Sequence, residues 1–176
     1  MTARQMHGQA SRAARFSGSV SWRAVPWAGL AALLSLGAGG LHFAVAPAHF
    51  DEYWIFGAFF VLCAWLQVAW SVAVTSRPSR WLLIVGIAGN LALAVLWFYT
   101  RAVAVPIGPA AGSPETYGRI DELCVVFEVA TAAVAAGLLV LGWGHVRRHF
   151  DWWVLVPASA VMVVLIGWVL GSSQIM

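Results

Sequence analysis

The sequence predicts an all-α integral membrane helical bundle of five transmembrane helices, N-terminus in and C-terminus out. Three observations carry that prediction. Of 176 residues, 61% are hydrophobic and 10% are charged, a composition that a soluble domain of this size does not bury. Apolar runs of about 20 residues recur, and at 1.5 Å rise per residue each spans a hydrocarbon core of about 30 Å. The arginines cluster in alternate connections, as the retention of positive charge on the cytoplasmic side requires.

The first element is a basic cytoplasmic tail, residues 1–23, in which Arg4, Arg12, Arg15 and Arg23 stand without a single acid. It is read as disordered and as a contact for anionic lipid. Residues 24–176 form one transmembrane domain with spans near 24–46, 54–75, 81–100, 121–143 and 152–170. The backbone in lipid must satisfy its own hydrogen bonds, so these runs are helices. The fourth carries Glu128 and is the weakest by hydropathy, which keeps four spans plus an interfacial segment as the alternative. Arg77 and Arg80 follow span two, and Arg147 and Arg148 follow span four. Asp51, Glu52, Glu115, Asp121 and Glu122 fall in the other two connections, beside Arg101 and Arg119. Only an odd number of spans puts every arginine cluster on one side.

Tryptophans mark the predicted membrane boundaries. Trp22, Trp27, Trp70, Trp81, Trp143, Trp152 and Trp153 fall at cytoplasmic ends, and Trp54, Tyr99 and Trp168 at outer ends. Pro47 is expected to end span one, with Asp51 and Glu52 opening the second helix at its positive dipole end. Cleavage of span one as a signal peptide is disfavoured, because its apolar run exceeds the 7–15 residues of such a segment. The pI of about 9.4 is a topology signal, and no nucleic acid is implied. Arginine replaces lysine completely, which suggests a GC-rich bacterial genome and hence a bacterial plasma (inner) membrane.

Polar residues inside the apolar runs carry the functional reading, because an ionisable group in lipid is expensive. His42 lies about 6 Å below the outer end of span one. On span four, Asp121, Cys124, Val125 and Glu128 follow i, i+3, i+4, i+7 spacing and share one face. Glu128 lies about 10 Å deeper than Asp121, near the depth of His42. Asn90, Trp97 and Arg101 share a face of span three, which brings Arg101 to the outer boundary within reach of Asp121, Glu122 or Glu128.

His42, Glu128, Arg101 and Asp121 are therefore the expected ligand or proton-relay set. His42, His49, Glu52 and Glu128 are the expected ligands of a transition-metal ion. The same residues also fit a structural reading, in which Arg101 and a span-four carboxylate lock the helices and His42 bonds to one carboxylate. Gln67 and Asn90 are expected to make interhelical polar contacts. Cys63 and Cys124 differ in predicted depth by about 9 Å, so they are read as small buried thiols without a disulfide. The connection 101–120 is read as a proline- and glycine-shaped connector, with a lid over the pocket as the alternative. Gly167 and Gly171 would give span five a small-residue packing face.

No Walker loop, dinucleotide fingerprint, nucleophile elbow or Cys-x-x-Cys-His appears, so no catalytic residue and no enzyme activity is assigned. The stretches Leu41-His42, His49-Phe50-Asp51-Glu52, Gly57-Ala58-Phe59-Phe60, Gln67, Asn90, Thr100-Arg101, Pro106-Ile107-Gly108-Pro109 and Asp121-Glu122 resemble small multi-pass membrane proteins of actinobacteria. That resemblance covers most of spans one to four and implies no reaction, substrate or cofactor.

Three readings follow. The first is a multi-pass membrane protein with an outward-facing polar pocket for a metal ion or small ligand, accessory to a redox or transport system. The second is a structural or partner-binding subunit without chemistry, whose partners are the lipid bilayer and a homo-oligomer or membrane complex. The third is a small proton-linked carrier, for which the sequence offers no internal repeat.

Overall fold

The structure, a computed structural model, describes residues 25–140 apart from Pro78, Ala104 and Ala110, together with Ala160, Val164, Ile166 and Gly167. The basic tail, the loop holding His145 to His149 and most of the fifth span lie outside the described residues. Four helices follow in order: α1 Val25–Glu52, α2 Trp54–Ser76, α3 Arg80–Ala102 and α4 Arg119–Val140. Each is long and apolar enough to cross a membrane, α4 with its Glu128 included. Among the described residues all regular structure is helical, Ala160, Val164, Ile166 and Gly167 included, and the four apolar helices make this a membrane protein.

The predicted start of α2 is reproduced, but the end of α1 is not. Helix α1 runs through Pro47 to Glu52, so Pro47 does not end it. A proline removes one helical N–H without forbidding the turns that follow, and membrane bundles tolerate this. Tyr53 N–H still donates to His49 O at 2.9 Å, which holds the last turn. Asp51 and Glu52 therefore close α1 rather than open α2. Tyr53 alone separates the two helices, with an extended backbone at φ −159° and ψ 119°. That abrupt reversal needs room, and Gly57 supplies it: a Cβ there would stand 2.2 Å from the Phe50 ring.

Helix α1 packs along α2 and α4, and α4 packs along α1 and α3, whereas α2 and α3 touch lightly. The α1–α2 seam is close and small-sided. A Cβ on Gly39 would meet the Ala64 carbonyl at 3.2 Å. Ser71 Oγ donates to Ala32 O at 3.1 Å and Ser35 Oγ to Gln67 O at 3.3 Å across that seam.

At the end of the bundle carrying Arg77 and Ser79, Ala31, Trp70, Val74, Leu83, Ala135 and Leu138 form an apolar core. Trp70 belongs to this core and not to a lipid-facing belt. It is 8% exposed, its indole N–H donates to Leu82 O at 2.7 Å, and its ring fills the place that a side chain on Gly86 would take. Trp54, Trp65 and Trp81 are exposed, as lipid-facing aromatics should be. A second apolar cluster, Ala38, Leu41, Cys124 and Phe127, lies toward the other end, and Ile166 packs against it.

Candidate metal site

Helix α1 brings His42, and α4 brings Cys124 and Glu128, to one buried point. The i, i+4 spacing of Cys124 and Glu128 puts both on the α4 face that meets α1. His42 Nε2 stands 3.1 Å from Glu128 Oε1. Cys124 Sγ stands 3.7 Å from His42 Nε2 and 3.8 Å from Glu128 Oε1. The donor atoms of all three residues lie within 4.8 Å of one another. Ligands at zinc-like bond lengths on a tetrahedral ion stand about 3.3–3.6 Å apart, so the trio is already near the edges of such a tetrahedron. Glu128 is 1% exposed and His42 6%. Glu128 Oε2 is buried with no hydrogen-bond partner among the described residues.

All three residues line a cavity of about 310 Å³ between the helices. Its walls are mainly apolar, with Ile55, Phe56 and Phe59 from α2 and Leu93 and Leu96 from α3. Arg101 and Asp121 also line it and pair at 2.7 Å between Nη2 and Oδ2. Arg101 Nη1 donates to Thr100 Oγ1 at 2.9 Å, and its guanidinium carbon lies 4.6 Å from the centre of the Trp97 ring.

The connection after α3 is built against the cavity. Val105, Ile107 and Glu115 line it, and Glu115 N–H donates to Thr100 O at 3.0 Å. Gly108 has φ +87°, a left-handed backbone that glycine adopts freely, and a Cβ there would press on Phe56 at 2.8 Å. The segment folds over the bundle and contributes side chains to the site, which a plain connector would not do.

The predicted site residues divide into three groups. His42 and Glu128 meet directly, as their shared depth suggested. Arg101 and Asp121 meet each other at the cavity wall rather than joining that pair. His49 and Glu52 form their own i, i+3 pair at 3.5 Å, part-exposed. His49 lines the cavity and Glu52 does not. His49 stacks on Phe60 at 4.1 Å, and the same ring lies 5.5 Å from His42.

Asn90 Nδ2 donates to Gly86 O at 2.8 Å within α3, and the Gln67 carboxamide has no hydrogen-bond partner among the described residues. The expected interhelical bonds of these two amides are thus not formed there. Cys124 is the residue that sequence reasoning missed. Read as an inert thiol, it sits on the same α4 face as Glu128, and that shared face was the available signal. Both cysteines are free and buried.

Comparison of the chain with protein-family models, curated proteins and solved structures finds no match, so the reading of this site rests on its geometry.

Proposed function

We propose that this chain is a multi-pass protein of the bacterial plasma membrane that binds a divalent transition-metal ion through His42, Cys124 and Glu128, as an accessory to a redox or transport system. The observation that carries the reading is the convergence of three different ligand types, all buried, at the edge of a cavity. Three protein ligands with an open fourth position are the pattern of metal sites that meet a water or a substrate. Mixed nitrogen, sulfur and oxygen donors suit zinc, a borderline ion, better than calcium or magnesium.

Charge supports a divalent ion. Thiolate and carboxylate together carry two negative charges, which such an ion cancels, and a net charge in lipid is costly. Ligation takes the thiolate, the neutral imidazole and the carboxylate, so ion uptake is expected to be favoured by rising pH and accompanied by proton release. The distribution of arginines supports an outward-facing cavity, with Arg77 and Arg80 on the cytoplasmic side.

Elemental mass spectrometry of the purified protein tests the reading, with wild type beside Cys124→Ser and His42→Ala. Near-stoichiometric zinc or a related ion, lost in both variants, is expected. Cobalt-loaded wild type should show a near-ultraviolet thiolate-to-metal band that Cys124→Ser lacks. Folded wild type that takes up no zinc, cobalt, iron or copper sinks the proposal. The second reading, a structural lock, would then stand on the 3.1 Å His42–Glu128 contact between α1 and α4.

A further inference from the structure

We infer that the cavity binds a small, uncharged, apolar molecule through a carbonyl-type oxygen, which accepts hydrogen bonds from the Trp97 indole N–H and the Arg101 Nε–H. This goes beyond the metal reading, because neither residue belongs to the three-donor set. Trp97 and Arg101 lie one helical turn apart on α3 and both line the cavity. Trp97 Nε1 and Arg101 Nε are buried and have no hydrogen-bond partner among the described residues. The terminal nitrogens of Arg101 already serve Asp121 and Thr100, which leaves Nε as the spare donor, on a side chain only 9% exposed. Buried donors without an acceptor are costly and uncommon. The two side chains stack, with the guanidinium carbon 4.6 Å from the ring centre, and the described residues supply neither nitrogen with an acceptor. Both nitrogens are closed off as the side chains stand, so a ligand oxygen reaches them by a turn of these two side chains toward the lumen, a common side-chain adjustment on binding.

The charges around the cavity decide what kind of acceptor it is. Asp121 already neutralises Arg101, and Glu115 and Glu128 line the same space. A ligand carboxylate or phosphate would add a further negative charge in a low-dielectric setting. A neutral oxygen satisfies both donors without that repulsion. The apolar walls suit a hydrocarbon body. At about 310 Å³ the cavity lies at the lower end of the roughly 300–1,000 Å³ range of small-molecule sites. These constraints select a compact ketone, quinone or ester, and exclude a two-chain lipid.

Undecan-2-one, undecane and dodecanoate separate the alternatives, using 15N-tryptophan-labelled full-length protein in lipid nanodiscs. The Trp97 indole resonance is assigned by its loss in Trp97→Phe. Undecan-2-one is expected to bind saturably and to shift that resonance downfield. It should also bind more tightly than undecane or dodecanoate. Trp97→Phe should weaken ketone binding about three- to tenfold more than it weakens undecane binding, the scale of one hydrogen bond. Tighter binding of dodecanoate would overturn the proposal in favour of an anion site. Equal affinity for ketone and alkane, or no saturable shift of the Trp97 resonance, would overturn it as well. If Trp97→Phe does not fold, the ligand series and line shifts on wild type decide alone. Metal content is not read in this titration, so the two proposals fail separately.

Discussion

The two ends of this bundle use buried polarity in opposite ways. At the end carrying Arg77 and Ser79, polar side chains bond to the main chain: Ser71 to Ala32 O, Trp70 to Leu82 O. Slightly deeper, Ser35 and Thr131 do the same. Each of these bonds closes a local gap and leaves the surrounding core apolar. At the cavity end, polar side chains meet one another, His42 with Glu128 and Arg101 with Asp121. There Glu128 Oε2, Trp97 Nε1 and Arg101 Nε keep unfilled bonding capacity. Polarity turned onto the backbone is what packing alone requires. Unfilled capacity alone marks no ligand, since the Gln67 carboxamide and Asn90 Oδ1 keep it away from the cavity; what distinguishes the cavity end is paired ionisable side chains beside an open space.

The sharpest way to break this comparison is to damage the packed end alone. Trp70→Ala removes the ring that fills the space beside Gly86 and should cost about 3–5 kcal/mol in thermal unfolding. The metal stoichiometry of the protein that remains folded should not change. A loss of metal in that variant would mean that the two ends are not independent.

Next in size is the ion pair at the cavity wall. A double-mutant cycle of Arg101→Gln and Asp121→Asn should show a coupling of about 1–2 kcal/mol in unfolding, because Arg101 is largely buried while Asp121 is part-exposed. Cys124→Ser should change stability by less than about 1 kcal/mol while abolishing metal uptake. A large loss of stability with metal retained would instead make Cys124 a packing residue. The smallest effect belongs to Glu52→Gln. Its pair with His49 is part-exposed, so unfolding should shift by no more than about 0.5 kcal/mol, with metal content unaffected.

Much of the fold was legible because hydropathy and helical rise are one-dimensional. They locate α2, α3 and α4 to within about three residues at each described boundary, and they give depth. Depth was enough to match His42 with Glu128. Rotation about each helix axis is a second coordinate, and a single span reports it weakly. Trp70 therefore looked like a boundary residue and turned out to be core, and the Gln67 carboxamide looked like glue yet bonds to no neighbouring helix among the described residues. Cys124 was hidden for a chemical reason. A thiol in an apolar run is as good a small hydrophobe as it is a ligand, and only its neighbours distinguish the two. Pro47 misled because proline interrupts one hydrogen bond, while the turn that follows is held by its own bonds.

The light contact between α2 and α3 has a consequence for how any occupant arrives. Phe59 and Leu96 line the cavity and are each more than a third exposed, so a parting of these two helices would open the cavity toward acyl chains. A molecule entering there is drawn from the pool dissolved in the bilayer. Its occupancy then follows its mole fraction in lipid, and its partition coefficient multiplies whatever intrinsic affinity the cavity has. Two compounds with identical contacts inside can therefore differ widely in apparent potency when each is dosed through water.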